Sequence, residues 1–364
     1  MPRVADLRIS IGSLPAGATN SVLDVAGVGV GHATVWRDEA DPPSGRGVAR
    51  TGVTVIRLRD DPFKDMLPAG GAVLNGAGEC TGFITAAEWG TLETPVFLTS
   101  TLQLGRVYDA ACELMLERFP GVAEDFIIPV VGECDDSFLN DARRMQVGRA
   151  DVAKAWAQAD ASVGSAAPPA EGAVGSGTGM SCLGFKGGIG TASRVTAAGH
   201  TVGVLLMTNF GSLDQLTVAG VPVGRLLAAA GGVPEPQAKP PGSCIGLVVT
   251  DAPLDGAACV RLARRVGLGL ARAGSVAQHG SGEIFLATST GVRVRRDDRL
   301  FSTPVVSGRG LDPLFSAVVE ASEEAVLNSI FACSTVVGRS GNTSLGLPVD
   351  TVVELVRRHG RLEG

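Results

Sequence analysis

The chain has 364 residues, 45% of them hydrophobic and 4% aromatic, with 50 glycines and a formal net charge of −6. That is material for a sizeable core, in two ordinary domains or one large composite one. Acidic and basic residues are mixed, which argues against a nucleic-acid or anionic-membrane surface, and no run reaches the roughly 18–20 apolar residues of a membrane span.

The N-terminus lacks the charged start and apolar core of a signal peptide. The seven cysteines, at 80, 112, 134, 182, 244, 259 and 333, are scattered without a C-x-x-C pair. Reduced thiols and a cytoplasmic location are therefore expected.

In chain order, "GVTVIRL" (52–58) and "TPVFLTS" (94–100) read as buried strands. "TLQLGRVYDAACELMLERF" (101–119) reads as a helix with Leu104, Tyr108, Ala111, Met115 and Leu116 near one face. Strand-like runs follow at 125–133 and 200–211. Residues 228–242 hold four prolines without apolar periodicity and predict an exposed loop. "SCIGLVVTDAPL" (243–254) is then a strand. "AACVRLARRVGLGLARAG" (257–274) is a helix presenting Cys259, Leu262, Ala263, Val266 and Leu270. "EIFLATST" (283–290) is a strand with "VRVRR" as its hairpin partner, 314–333 is a helix, and the tail reads as short and polar. Adjacent strands flanked by helices suggest sheet on sheet with helices outside, an α/β class.

Several glycine clusters invite a nucleotide reading: 27–32, 75–82 and 174–194. None is a phosphate-binding G-x-x-x-x-G-K-[ST] loop, and none has a clean strand–GxGxxG–helix setting. Tight turns and close backbone approach explain them, and their free N–H groups can build an oxyanion or carboxylate pocket. The four histidines (32, 200, 279 and 359) are far apart and form no metal-ligand spacing. No metal and no cofactor is expected. G-x-S-x-G and S-x-x-K are both absent, although a dispersed Ser–His–Asp set is not excluded by sequence.

Ser243 stands out. It opens an apolar strand directly after Gly242, behind two prolines. A cut between Gly242 and Ser243 would put a hydroxyl and a free α-amine, with a pKa of roughly 7.7–8.0, on one residue. A glycine before the cut tolerates backbone strain and attack on its carbonyl. The plainer reading is a serine that only starts a strand.

"GSCIGLVVTDAPL" (242–254), "HGSGEIFLATST" (279–290), "VGSGTGMSCLGFKGGIGTASR" (174–194), "NGAGECTG" (75–82) and "MTNFG" (207–211) resemble, in order and over nearly the whole chain, the family of L-aminopeptidase/D-esterase (DmpA-like) and β-aminopeptidyl enzymes. The resemblance implies a precursor that cleaves itself into a large segment, 1–242, and a small one, 243–364. Both would share one composite four-layer αββα sandwich, similar to N-terminal nucleophile hydrolases but differently connected.

It also implies roles. Ser243 would be the nucleophile. Ser281 and Glu283, two apart on an extended strand and so on one side, would bond the Ser243 amine and hydroxyl and relay protons. Asn209 would stabilise the oxyanion. Glu133 would bind the free amine of the substrate, with Asp135 or Asp136 shaping that pocket. The following "CDDSF" departs from relatives with a nearby aromatic, and the one tyrosine is Tyr108. Lys186 would pair with a carboxylate or lie solvated on the surface.

The expected activity is a self-processing aminopeptidase for short peptides, amides or esters with a small free N-terminal residue, including β- or D-amino acids. A homo-tetramer of processed units is the expected assembly. The rival readings are an ornithine acetyltransferase-like enzyme, whose relatives generally cut before threonine, and an uncleaved binding protein.

Overall fold

The computed structural model describes residues 1–231, 233, 234, 236, 237 and 242–362. Nine principal strands are β1 (Gly29–Asp38), β2 (Val48–Arg57), β3 (Asp65–Gly76), β4 (Val96–Ser100), β5 (Val130–Cys134), β6 (Ile189–Val195), β7 (Thr201–Asn209), β8 (Ser243–Thr250) and β9 (Gly282–Ser289). Four long helices accompany them: α1 (Leu104–Arg118), α2 (Arg149–Ala161), α3 (Gly256–Ala273) and α4 (Asp312–Phe331).

The strands form two sheets. One has the order β1-β2-β4-β5, antiparallel except for the parallel β4–β5 pair. The other runs β3-β9-β8-β7-β6, with β8–β9 parallel and the other pairs antiparallel. Period-two alternation gives each sheet two apolar faces. Val53, Val55, Phe97 and Val131 meet Val107, Ala111, Val152 and Trp156 of α1 and α2. Val204, Val248, Phe285 and Ala287 meet Leu262, Val266, Ala321 and Ala325 of α3 and α4. Between the sheets lie Ile56, Val96, Leu98 and Val130 from one, and Leu205, Met207, Ile245, Leu247 and Ile284 from the other. Three apolar layers thus separate four structural ones, a four-layer αββα sandwich.

The predicted faces hold best where the helix is most amphipathic. In α3, Cys259, Leu262, Ala263, Val266 and Leu270 are all buried. In α1 the buried stripe is Val107, Ala110, Ala111, Leu114 and Met115, and Leu116 is 45% exposed. The face is rotated from the predicted one because Tyr108 and Leu104 pack only at its margin. The strand expected over 125–133 starts at Val130, after Pro129, which has no N–H for a ladder. The "VRVRR" segment is not a hairpin partner of β9. Val294–Arg295 pairs with β3 instead. The tail is not merely polar, since helix Val349–Arg358 buries Val352 and Val356. Residues 228–230 belong to helix Val223–Ala230, which stops at Gly231 in the left-handed region. The rest of the expected loop falls partly on 232, 235 and 238–241, outside the described residues.

Candidate active site

Ser243 is the first residue of β8, in the interior of the second sheet. It lies opposite Asn209 of β7 and beside Gly282 of β9 in register. Ser243 shares its strand face with Ile245 and Leu247, so its side chain enters the gap between the sheets. There its hydroxyl meets the thiol of Cys134 from β5. Burial pushes that thiol well above the ordinary range and keeps it neutral.

The Gly242–Ser243 linkage is built into the ladder. The Gly242 carbonyl accepts the Gly282 N–H at 3.2 Å. A Cβ on residue 242 would stand 1.4 Å from the Asn209 carbonyl oxygen. Close strand approach therefore demands glycine here, a stronger reason than the tolerance of strain expected from sequence.

Asn209, buried at the end of β7, is oriented at both ends of its amide. Its Oδ1 accepts the Ser181 N–H at 3.0 Å, and its Nδ2 donates to the Asp135 carbonyl at 2.7 Å. An amide nitrogen carries two hydrogens, so one remains for another acceptor.

Ser281 and Glu283 are brought together. The Ser281 hydroxyl donates to Glu283 Oε1. Glu283 is fully buried, and its Oε2 has no partner among the described residues. Burial raises its carboxyl above the usual range, opposed by the Ser281 hydrogen bond. Glu283 is in register with Cys244, whose side chain belongs to the helix-side core. Its side chain thus leaves the sheet on the face opposite to that of Ser243, and the two do not simply line one pocket.

Glu133 ends β5 and is 4% exposed. Oε1 accepts the Glu79 N–H at 2.8 Å and Oε2 accepts the Thr101 hydroxyl. Neither partner is a cation, and burial raises the carboxyl, with Asp135 and Glu79 adding to the effect. Asp135 departs from its expected role. Its carboxylate accepts the Ser137 N–H at 3.1 Å and the Ser137 hydroxyl at 2.8 Å, and it is the Asp135 carbonyl that touches Asn209. Asp136 turns inward to Asn140, Thr51 and Ser100.

The sequence profile of peptidase family S58 matches residues 20–344. The chain belongs to peptidase family S58. It is 36% identical over 378 residues to a β-peptidyl aminopeptidase of Sphingosinicella microcystinivorans, covering 99% of this chain and 93% of that protein. Among solved structures it resembles a Burkholderia sp. β-aminopeptidase, with TM-score 0.89, 38% identity and 99% of both chains covered. It also resembles the L-aminopeptidase D-Ala-esterase/amidase of Ochrobactrum anthropi, described as a new variant among the Ntn hydrolase fold. That match has TM-score 0.89 and 33% identity and covers 100% of both chains. The protein is an aminopeptidase, a hydrolase of peptide bonds, with peptides or amides as substrates.

Several residues of this S58 aminopeptidase were not singled out from sequence. Gly282 supplies an N–H to the Gly242 carbonyl. Asn75 Nδ2 donates to the carbonyls of Gln278, His279 and Ser281 and braces the turn into β9. Its place in the "NGAGECTG" block was the available signal. Lys186, expected on a carboxylate or in solvent, is not at the surface. It is fully buried and donates to the carbonyls of Gly177, Met180 and Gly187, clamping the loop that carries Ser181. A cavity of about 1070 Å³ opens beside Gly242, with Ser181, His279, Gly280 and Ser344 in its wall. Among the described residues no helix is long and apolar enough to cross a membrane.

Proposed function

We propose that this aminopeptidase cuts its own chain between Gly242 and Ser243, leaving segments 1–242 and 243–364 folded as one unit, and that Ser243 is the nucleophile. One observation carries the reading. The linkage sits in the ladder with its carbonyl on the Gly282 N–H, near a buried carboxylate, Glu283, that has an unpartnered oxygen. In the cut, Ser243 Oγ attacks the Gly242 carbonyl carbon and the Gly242–Ser243 C–N bond breaks. The hydroxyl proton passes to the departing nitrogen. Water then hydrolyses the resulting ester, giving the Gly242 carboxylate and a free Ser243 amine.

The same groups serve turnover. The amine, with a pKa of roughly 7.7–8.0, takes the Ser243 hydroxyl proton. Ser281 and Glu283 hold that amine and shuttle the proton, which gives the lone Glu283 oxygen its partner. The spare Asn209 hydrogen stabilises the oxyanion. Glu133 receives the substrate's ammonium group, whose charge offsets the cost of a buried carboxylate. Asp135 contributes its negative field and, through its carbonyl, the orientation of Asn209. The acyl-enzyme on Ser243 is released by water, so short peptides, amides or esters with a free N-terminal amine are the substrates. Small residues, including β- or D-amino acids, belong to this reading.

Intact-mass analysis of the purified protein tests it. Two fragments meeting between Gly242 and Ser243 are expected, and an intact but fully active chain would overturn the proposal. All seven cysteines are free, which fits a cytoplasmic location. Assembly into a homo-tetramer is part of the proposal; the exposed Trp89 and Phe126, whose rings pair at 6.2 Å, offer apolar surface for a subunit contact, and light scattering tests it.

A further inference from the structure

The layer between the two sheets is apolar. Contacts among Leu98, Met207, Ile245 and Leu247 hold the sheets together, but such attraction has no direction and does not fix how one sheet is aligned on the other. Alignment matters here, because Glu133 belongs to the first sheet, and Asn209 and Ser243 belong to the second. Cys134 crosses the gap. It is the last residue of β5, directly after Glu133, and it is fully buried. Its thiol donates to the Met207 carbonyl of β7 at 3.7 Å. With that hydrogen engaged, the sulfur accepts the Ser243 hydroxyl of β8. One side chain thus ties the strand of Glu133 to the strands of Asn209 and Ser243.

Gly132 makes the span short enough. It shares the gap-facing side of β5 with Val130 and Cys134. A Cβ on it would stand 2.8 Å from Ile245 Cγ2, and Ile245 is two residues beyond Ser243 on β8. The strands therefore approach closely at 132 and 245, and a side chain as short as cysteine bridges them at 134 and 243. A thiol suits the place. It behaves as a small apolar group in the layer, and its weak hydrogen bond fixes the hydroxyl without deepening the ground state from which Ser243 attacks.

We infer that Cys134 is a positioning residue that holds the Ser243 hydroxyl in line with the Glu133 strand, both for the cut at Gly242–Ser243 and for turnover. The inference rests on Ser243 as the nucleophile and Glu133 as the amine site. The sulfur forms and breaks no covalent bond. It limits rotation of the hydroxyl and the sliding of one sheet over the other, so that the acyl carbon of a substrate anchored at Glu133 meets Ser243 Oγ.

The test compares Cys134→Ala and Cys134→Ser with the parent, in the rate of self-cleavage, in turnover of an alanyl p-nitroanilide per folded molecule, and in denaturant titration. In Cys134→Ala both rates are expected to fall about 10–100-fold, through kcat, with KM within about twofold of the parent. Cys134→Ser keeps a hydrogen-bonding partner for Ser243 and is expected to hold both rates within about threefold of the parent. Stability should run the other way, with Cys134→Ser the weaker fold, because a hydroxyl is costlier than a methyl group in an apolar layer. A purely packing role would make activity follow stability. A Cys134→Ala enzyme at the parent rates, or a Cys134→Ser enzyme as slow as Cys134→Ala, overturns the inference. Intact mass separates this from the reading beneath it. A parent chain that is never cut at Gly242–Ser243 removes both, whereas a parent that is cut and a Cys134→Ala variant that matches it remove the inference alone.

Discussion

Two sets of buried carboxylates in this molecule are built differently. Behind β6, Glu320 accepts the N–H groups of Ser13 and Leu14, each at 3.0 Å, and Glu324 accepts Asn20 Nδ2 at 2.6 Å. Both share the Arg194 guanidinium, which also donates to the Ile11 and Ser193 carbonyls. Every strong charge there has an opposite charge. Around Ser243, Glu133 has only a hydroxyl and an N–H, and Glu283 only a hydroxyl, with one oxygen unpartnered. A buried charge without a counter-ion is costly, so it persists where a cation arrives during function. The first set closes the fold, and in the function proposed above the second receives amines.

The sharpest way to break this contrast is Ser243→Ala. It is expected to leave a single uncut chain by mass spectrometry, with turnover lowered by at least about 10³-fold. Normal cutting and turnover would remove Ser243 from the site. Asn209→Ala is next, with a loss of roughly 10²–10³-fold in kcat and a smaller change in KM, measured on a matured sample. Glu283→Gln should slow both cutting and turnover by about 10²-fold or more. It adds a pH signature. Because burial raises the Glu283 carboxyl, the rate of self-cleavage in the parent should decline with acid at a pH above the ordinary carboxylate value. That acid limb should vanish in the glutamine variant, and its persistence would assign the titration to another group.

Arg194→Met tests the other side of the comparison. It strands Glu320 and Glu324, and is expected to cost about 3–5 kcal/mol of stability in denaturant titration. Turnover per folded molecule should stay near the parent value, and a selective loss of kcat would dissolve the distinction between the two sets.

The effect confined to a pH window concerns Asp136, which burial raises to about 7. The folded state binds this proton more tightly than the unfolded chain does. Its stabilising contribution is therefore full below about pH 4 and declines as pH rises towards 7. The decline is at most of the order of 4 kcal/mol. Asp136→Asn keeps a carbonyl for the Asn140 Nδ2 donor, at 3.1 Å in the parent. The variant should gain stability relative to the parent between pH 5 and pH 8, and a pH-independent difference would refute the shift.

The chain by itself determined much of this. The apolar runs that become β7, β8 and β9, the helical stripe of α3, the Gly–Ser junction and the Ser281/Glu283 spacing are all local patterns. They are readable because period and turn chemistry act over a few residues. What sequence could not supply was registration across the sheets. That Gly282 stands beside Ser243 and lends its N–H to residue 242, that Cys134 touches the Ser243 hydroxyl, and that Asp135 acts through its carbonyl are long-range placements. Each depends on how the two sheets pair and stack, and side chains distant along the chain meet only once that packing buries them together.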